Sequence, residues 1–160
     1  MDKDFRVGIG YDSHRFTAGR PLVLGGIHIP YELGLHAHSD GDVLIHAICD
    51  ALLGAAALKD IGTHFPDNDG AYANIDSTCL LTQVVDLLYQ QGWNVHNVDC
   101  TLVLEKPKMK SYIDEMTTTL SKLLHIDPAN LSIKAKTNEG MGFTGQGEGI
   151  AAMVVATIKQ

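Results

Sequence analysis

Hydrophobic positions along the chain repeat with two different periods. Phe5 to Tyr11 alternates large apolar residues with small or polar ones, as a strand does. Asp12 and His14 follow at a spacing of two, so on an extended backbone both point to the same side. Leu22 to Leu24 and Ile27 to Ile29 flank Gly25-Gly26, which predicts a short hairpin. The period then becomes helical. Val43, Ile45, Ala47, Ile48, Leu52 and Ala55 cover a broad apolar face, and Ser39 and Asp40 stand before them as capping residues. Leu80, Leu81, Val84, Leu87 and Leu88 predict a second helix, opened by Asp76 or Ser77 and ended by Gly92. Alternation returns from Asn94 to Leu104, and Glu105-Lys106-Pro107-Lys108 breaks it. A third helix is predicted from about Met109 to Leu124, a strand from Leu131 to Thr137, and a final apolar strand from Ile150 to Ile158. The glycine-rich turn from Gly140 to Gly149 lies between the last two strands.

That order is β, hairpin, α, loop, α, β, α, β, β. It predicts an α/β (α+β) sandwich with helices on one face of a mixed sheet. The segment from Asp60 to Asn74 is long for a connection in a compact domain, and long ordered loops tend to be functional or mobile.

Composition narrows the picture. A chain of 160 residues with 45% hydrophobic and 19% charged residues has the size and make-up of a single soluble domain, residues 1–160. No apolar run approaches the roughly 20 residues of a membrane span, and the first residues, MDKDFRVGIG, contain no signal-peptide core. Cys49, Cys79 and Cys100 are odd in number and far apart, and read as reduced, buried thiols of a cytoplasmic protein. A formal net charge of −7 argues against nucleic acid as a partner. It leaves room for an anionic ligand recruited through metal ions.

Ionisable residues on the apolar first helix need an explanation. Asp42, His46 and Asp50 fall at i, i+4 and i+8 on one stripe, which fits either a plain water-facing side or a metal-bearing cleft. With Asp12 and His14, His46 completes a set of two imidazoles and one carboxylate. Three protein ligands with a fourth position open is the pattern of a catalytic zinc. Asp42 or Asp50, one turn away, is placed to orient the His46 imidazole from behind. H-E-x-x-H is absent, which argues against a zincin protease.

The stretch Gly140-Met-Gly142-Phe-Thr-Gly145 satisfies G-x-G-x-x-G but runs into a strand, so it is not a dinucleotide fingerprint. It reads as a hairpin, or as a nest of N–H groups for a phosphate. Lys134, Lys136, Thr137 and Glu139 stand beside it. From the residues alone, a zinc-dependent phosphohydrolase and a noncatalytic metal- or nucleotide-binding module both remain open.

Taken together, YDSH, HSDGD, DALLGAAALKDIG, FPDND, EKPKM and KTNEGMGFTGQGEGI resemble, in order and spacing, the 2-C-methyl-D-erythritol 2,4-cyclodiphosphate synthase family. The resemblance runs from about Arg6 to Ile158. It implies a ferredoxin-like two-layer sandwich, with sheets packed around a threefold axis in a homotrimer and active sites at subunit boundaries. It implies a phosphorus–oxygen lyase of the non-mevalonate (MEP) isoprenoid pathway. The substrate would be 4-diphosphocytidyl-2-C-methyl-D-erythritol 2-phosphate and the products the cyclic diphosphate and CMP.

Carried over by position, the resemblance places zinc, or another divalent transition metal, on Asp12, His14 and His46. It places magnesium, or manganese, on Glu139, and transition-state stabilisation on His38 and Thr137. Substrate contacts fall on Ser39, on Asp60, Ile61 and Gly62, and on the loop Phe65, Pro66, Asp67, Asn68 and Asp69. Further contacts fall on Leu104, Glu105, Lys106, Pro107, Lys108 and Met109 around the cytidine, and on Lys136, Asn138, Phe143 and Gln146. Lys136 and Asn138 stand where some relatives carry threonine. Gln146 stands where many carry an arginine that lines the trimer's central cavity, so the cavity's taste for anions is expected to differ here.

Overall fold

The computed structural model describes residues 4–160. Its elements are β1 (Phe5–Thr17), β2 (Leu22–Leu24), β3 (Ile27–Ile29), β4 (Gly34–Leu35), α1 (Val43–Ala55), α2 (Ile61–His64), α3 (Ser77–Gln90), β5 (Asn94–Val103), α4 (Ile113–Leu124), β6 (Leu131–Lys136), α5 (Gly142–Gly145) and β7 (Gly149–Lys159), with single 3-10 turns at Gly70–Tyr72 and Pro128–Asn130. The main sheet has the order β4-β1-β7-β5-β6, and β2 pairs with β3 as a separate hairpin.

The register explains why the last strand is apolar on successive residues. β7 is the central strand, antiparallel to both β1 and β5, while β5 and β6 run parallel. A parallel pair needs a crossover, and α4 supplies it. Parallel and antiparallel pairs thus share one sheet, which is mixed as the element order predicts. The same register removes the predicted β6–β7 hairpin, because β7 crosses beyond β5 to lie against β1. The glycine-rich connection instead folds into the single helical turn α5.

Helix α1 is almost entirely buried, and β1 is built to receive it. Gly8, Gly10, Asp12 and His14 share one face of β1. A Cβ on Gly8 would fall 2.0 Å from the carbonyl oxygen of Ala51, and one on Gly10 1.9 Å from that of Ala47. Glycine on the strand and alanine on the helix thus bring the two backbones into direct contact. Further along the same stripe, that close approach carries Asp12 and His14 to His46. The core continues between the sheet and α3 and α4, through residues such as Leu81, Leu88, Leu102, Met116 and Leu120.

The opposite face of β1 carries Phe5, Val7, Ile9 and Tyr11, all exposed, with Ile9 at 72%. Met153 and Val155 of β7, paired with Tyr11 and Ile9, extend the same patch and are also exposed.

Three local expectations change. β1 extends to Thr17, so Asp12 and His14 lie within a strand that pairs along its whole length, not beyond its end. α4 starts at Ile113, four residues after the predicted position, because Met109 to Tyr112 forms a separate turn closed by Tyr112 N–H to the Met109 carbonyl. Cys79 is exposed, unlike Cys49 and Cys100. Among the described residues no helix is long and apolar enough to cross a membrane.

Candidate metal centre and flanking cavities

Asp12 and His14 project from β1 and meet His46 from α1. His46 Nδ1 lies 3.0 Å from Asp12 Oδ2, and His14 Nε2 lies 3.1 Å from the same oxygen. The two imidazole nitrogens are 3.0 Å apart, with the rings edge to face. Asp12 Oδ1 accepts the Ser13 N–H, leaving Oδ2 aimed at the imidazoles. Tetrahedral ligands about 2.0–2.1 Å from a zinc ion are separated by roughly 3.3 Å, so a triangle with 3.0–3.1 Å edges is sized for such an ion. The donors, imidazole nitrogen and carboxylate oxygen, suit zinc and its borderline neighbours. This triad is a candidate metal site.

The electrostatics follow from the crowding. Burial alone would raise the Asp12 carboxyl, but hydrogen bonds to His14 and His46 win and hold it well below the usual carboxylate range. Burial would lower the His46 imidazole, but the Asp12 hydrogen bond and the charges of Asp12, Asp42 and Asp40 raise it.

Neither acid proposed from the helix stripe touches the His46 ring. Asp42 is fully buried and turned away: it caps α1 through Ile45 N–H and accepts Gly25 and Gly26 N–H from the β2–β3 turn. Burial pushes its carboxyl up to about 6 despite those three donors. Asp50 accepts Ile61 N–H, tying α2 to α1, and burial raises it too. The stripe reading is corrected accordingly. The ring's other nitrogen, Nε2, instead faces two hydroxyls, Ser77 Oγ at 3.0 Å and Ser39 Oγ at 3.1 Å. Ser77 had been legible only as a possible helix cap, and a serine there gives no metal-site signal in the sequence. The actual caps are Asp42 for α1 and Asp76 for α3.

His14 and His46 open into a cavity of about 330 Å³ that is also lined by His38, Ser39, Asp50, Ile61, Gly62, Phe65 and Asp67. Asp60, Pro66, Asn68 and Asp69 do not line it; Asp60 and Asp69 cap α2 and the following 3-10 turn. The backbone on both sides of His38 is clamped by Arg20, whose guanidinium donates to the carbonyls of Ala37, at 2.6 Å, and Ser39. Asn74 N–H donates to the His38 carbonyl itself at 2.8 Å. Sequence reasoning passed over Arg20, which lies in a turn with no motif around it.

A second cavity, also about 330 Å³, is lined by Leu104, Glu105, Pro107, Lys108, Met109, Lys136 and Thr137, together with Lys110, Ile113 and Ala135. The two cavities share no lining residue. Lys106, Asn138, Glu139, Phe143 and Gln146 line neither. Glu139 receives a hydrogen bond from Thr137 Oγ1 at 3.2 Å, Asn138 N–H donates to Glu105 at 2.9 Å, and Gln146 Nε2 donates to the Gly140 carbonyl. Glu139 is a single exposed carboxylate. That does not make a cage, but it suits magnesium, which is held by one or two carboxylates plus substrate phosphates.

Fold and site together define an α/β protein with three candidate metal ligands at the edge of a cavity. The chain belongs to the YgbB family, whose sequence model matches residues 5–159. It is 54% identical over 155 residues to the 2-C-methyl-D-erythritol 2,4-cyclodiphosphate synthase of Brachyspira hyodysenteriae, covering 97% of this chain and 98% of that one. Its structure superposes on that of the bifunctional IspDF from Campylobacter jejuni with a TM-score of 0.95 and 39% identity, covering 99% of this chain and 43% of the bifunctional one. It also superposes on the CDP complex of IspF from Plasmodium falciparum with a TM-score of 0.85 and 31% identity, over 99% of this chain and 97% of that chain.

Proposed function

We propose that the chain carries out the reaction for which its relatives are named: closure of 4-diphosphocytidyl-2-C-methyl-D-erythritol 2-phosphate to 2-C-methyl-D-erythritol 2,4-cyclodiphosphate, with release of CMP, in non-mevalonate isoprenoid biosynthesis. The observation that carries this reading is the Asp12, His14, His46 triangle opening into the cavity that holds His38 and Ser39. An oxygen of the 2-phosphate forms a bond to the β-phosphorus, and the bond from that phosphorus to the bridging oxygen breaks, leaving with CMP. No water enters the balance, which makes the enzyme a phosphorus–oxygen lyase. The attacking oxygen is already anionic at neutral pH, so no strong base is needed. The barrier lies in bringing two anions together and bending the substrate into a ring, which calls for positioning and charge neutralisation.

Zinc on the triangle and magnesium shared between Glu139 and the substrate would supply Lewis-acid polarisation and neutralise phosphate charge. His38 and Ser39, held by Arg20, orient the methylerythritol phosphate and stabilise charge developing on it. Asp60, Ile61 and Gly62, with Phe65, Pro66, Asp67, Asn68 and Asp69, close over the methylerythritol end and exclude water. Leu104 through Met109 receive the cytidine. Lys136, Thr137 and Asn138 receive the diphosphate, with Thr137 stabilising the transition state, and Phe143 and Gln146 lie on the outer approach.

The second cavity is read as the cytidine pocket of a neighbouring subunit in a homotrimer, each complete site combining one chain's metal corner with another's pocket. The separate linings of the two cavities support this, as does the apolar patch on β1 and β7, which an assembly would cover. The protein is read as one cytoplasmic domain, with no nucleic-acid or membrane partner.

Incubating the protein with the diphosphocytidyl substrate, zinc and magnesium, and resolving products by phosphorus NMR, tests the reading. The cyclic diphosphate and CMP are expected in equal amounts. Inorganic phosphate as the product would instead mark a zinc phosphohydrolase, which no observation in the site or among the relatives favours.

A further inference from the structure

We propose that Asp40 and Ser77 form a positioning pair that fixes the tautomer of His46 and so aims Nδ1 at the metal; the inference rests on the metal reading above. Asp40 Oδ2 accepts the backbone N–H of Ser77 at 2.9 Å, and Oδ1 accepts that of Asp42 at 3.0 Å. Ser77 Oγ lies 2.5 Å from Asp40 Oδ1. An ionised carboxylate only accepts, so the single hydroxyl proton of Ser77 is committed to Asp40. What Ser77 Oγ has left is lone pairs, and the group facing them is His46 Nε2 at 3.0 Å. The ring must therefore carry its proton on Nε2. In the neutral imidazole this leaves the Nδ1 lone pair pointing at the corner shared with Asp12 Oδ2 and His14 Nε2.

Ser39 Oγ, 3.1 Å from the same nitrogen, does not fix the proton in this way. It accepts the Gly41 N–H, but among the described residues no acceptor claims its own hydrogen, so it can rotate to donate or to accept. Ser77 has no exposure to solvent, which keeps water from substituting for its hydroxyl. A carboxylate that orients a metal-ligating histidine usually touches the ring directly. Here a serine at the first residue of α3 stands between them, so the same carboxylate that ties the start of α3 to the segment before α1 also sets the ligand.

Ser77→Ala separates this role from a structural one, because the backbone N–H that binds Asp40 survives the change. Zinc affinity of the wild type, Ser77→Ala, Ser77→Thr and Ser39→Ala is measured by competition with a chromophoric chelator, alongside the thermal midpoint of each metal-free protein. Ser77→Ala is expected to weaken zinc binding about 10- to 100-fold with little change in the midpoint, and Ser77→Thr to restore most of it. Wild-type affinity in Ser77→Ala, or an equal loss in Ser39→Ala, overturns the assignment. A wild type that holds no zinc overturns the metal reading itself, and the two failures are thus told apart. Should Ser77→Ala fail to fold, ring-nitrogen NMR of the zinc-loaded wild type decides. A proton on His46 Nε2 that exchanges slowly with solvent supports the pair, and its absence overturns it.

Discussion

The His46 imidazole meets the Asp12 carboxylate at 3.0 Å across a separation of 34 residues. Two lone-pair atoms at that distance need a proton or a cation between them. His46→Ala is expected to remove most bound zinc and abolish turnover while leaving the chain folded, as atomic absorption and circular dichroism will show. Because a proton and a metal compete for His46 Nδ1, zinc affinity should fall as pH drops below neutrality. Retention of one tight zinc per chain in the variant would place the metal elsewhere.

Asp42 gives a pH dependence of its own. Its carboxyl stands at about 6 in the folded chain, against an ordinary value of 3.8. A group raised on folding contributes stability that is fully present below its unfolded value and lost as pH rises through its folded one. Wild-type unfolding free energy should therefore decline between pH 4 and 6, by about 3 kcal/mol at most. In Asp42→Asn that part of the slope should vanish, although the variant will be less stable throughout because an amide NH2 replaces one of the two oxygens that accept the Ile45, Gly25 and Gly26 N–H groups. Denaturant titrations at a series of pH values measure both effects.

Gly10 sets the spacing of strand and helix. With the Ala47 carbonyl 1.9 Å from where a Cβ would stand, Gly10→Ala must push α1 away. A loss of about 3 kcal/mol is expected, lowering the thermal midpoint by roughly 10 °C for a chain of this size. Zinc affinity should fall in parallel, since the same displacement opens the triangle. Calorimetry with and without zinc checks the pair of effects.

Arg20 holds the backbone on both sides of His38. Arg20→Ala frees the carbonyls of Ala37 and Ser39 and with them the backbone carrying His38. Turnover should drop about 10- to 100-fold, the cost expected when a reacting geometry is loosened, while zinc content stays at the wild-type level. Loss of zinc in this variant would mean that the clamp supports the metal corner instead.

The shared-site reading predicts rescue between inactive variants. Chains altered at His46 and chains altered in the cavity around Lys108, reassembled together in equal amounts, should regain activity at about a quarter of sites for random closed trimers. No recovery, with mixed trimers verified by native mass spectrometry, would put the whole site within one chain.

Much of this was readable from periodicity. Gly25-Gly26 marks the β2–β3 hairpin correctly, because both residues take positive φ, a conformation glycine accepts at no steric cost. The spacing of Asp12 and His14 put them on one face, and the helical period put His46 on α1. What periodicity does not carry is direction about the helix axis relative to distant partners. Asp42 shares a stripe with His46 in sequence, yet its N-cap position lets it serve the helix N-terminus and the Gly25-Gly26 amides instead. Strand order was equally hidden: β6 and β7 are consecutive and joined by a glycine-rich turn, and only the β5–β7 register shows that they are not neighbours. Ser77 and Arg20 act through a hydroxyl and through backbone carbonyls, and neither contact leaves a compositional trace.

Strand β1 writes two messages on alternate letters. Gly8, Gly10, Asp12 and His14 spell the surface that meets α1; Phe5, Val7, Ile9 and Tyr11 spell the apolar surface on the far side. Shifting the reading frame by one residue would exchange them, sending bulky side chains into the contact with Ala47 and Ala51 and turning Asp12 and His14 outward. An insertion of one residue between Gly10 and Asp12 therefore moves Asp12 and His14 to the other face together. The length between Gly10 and His14 holds the helix contact and the Asp12–His14 pair in one frame.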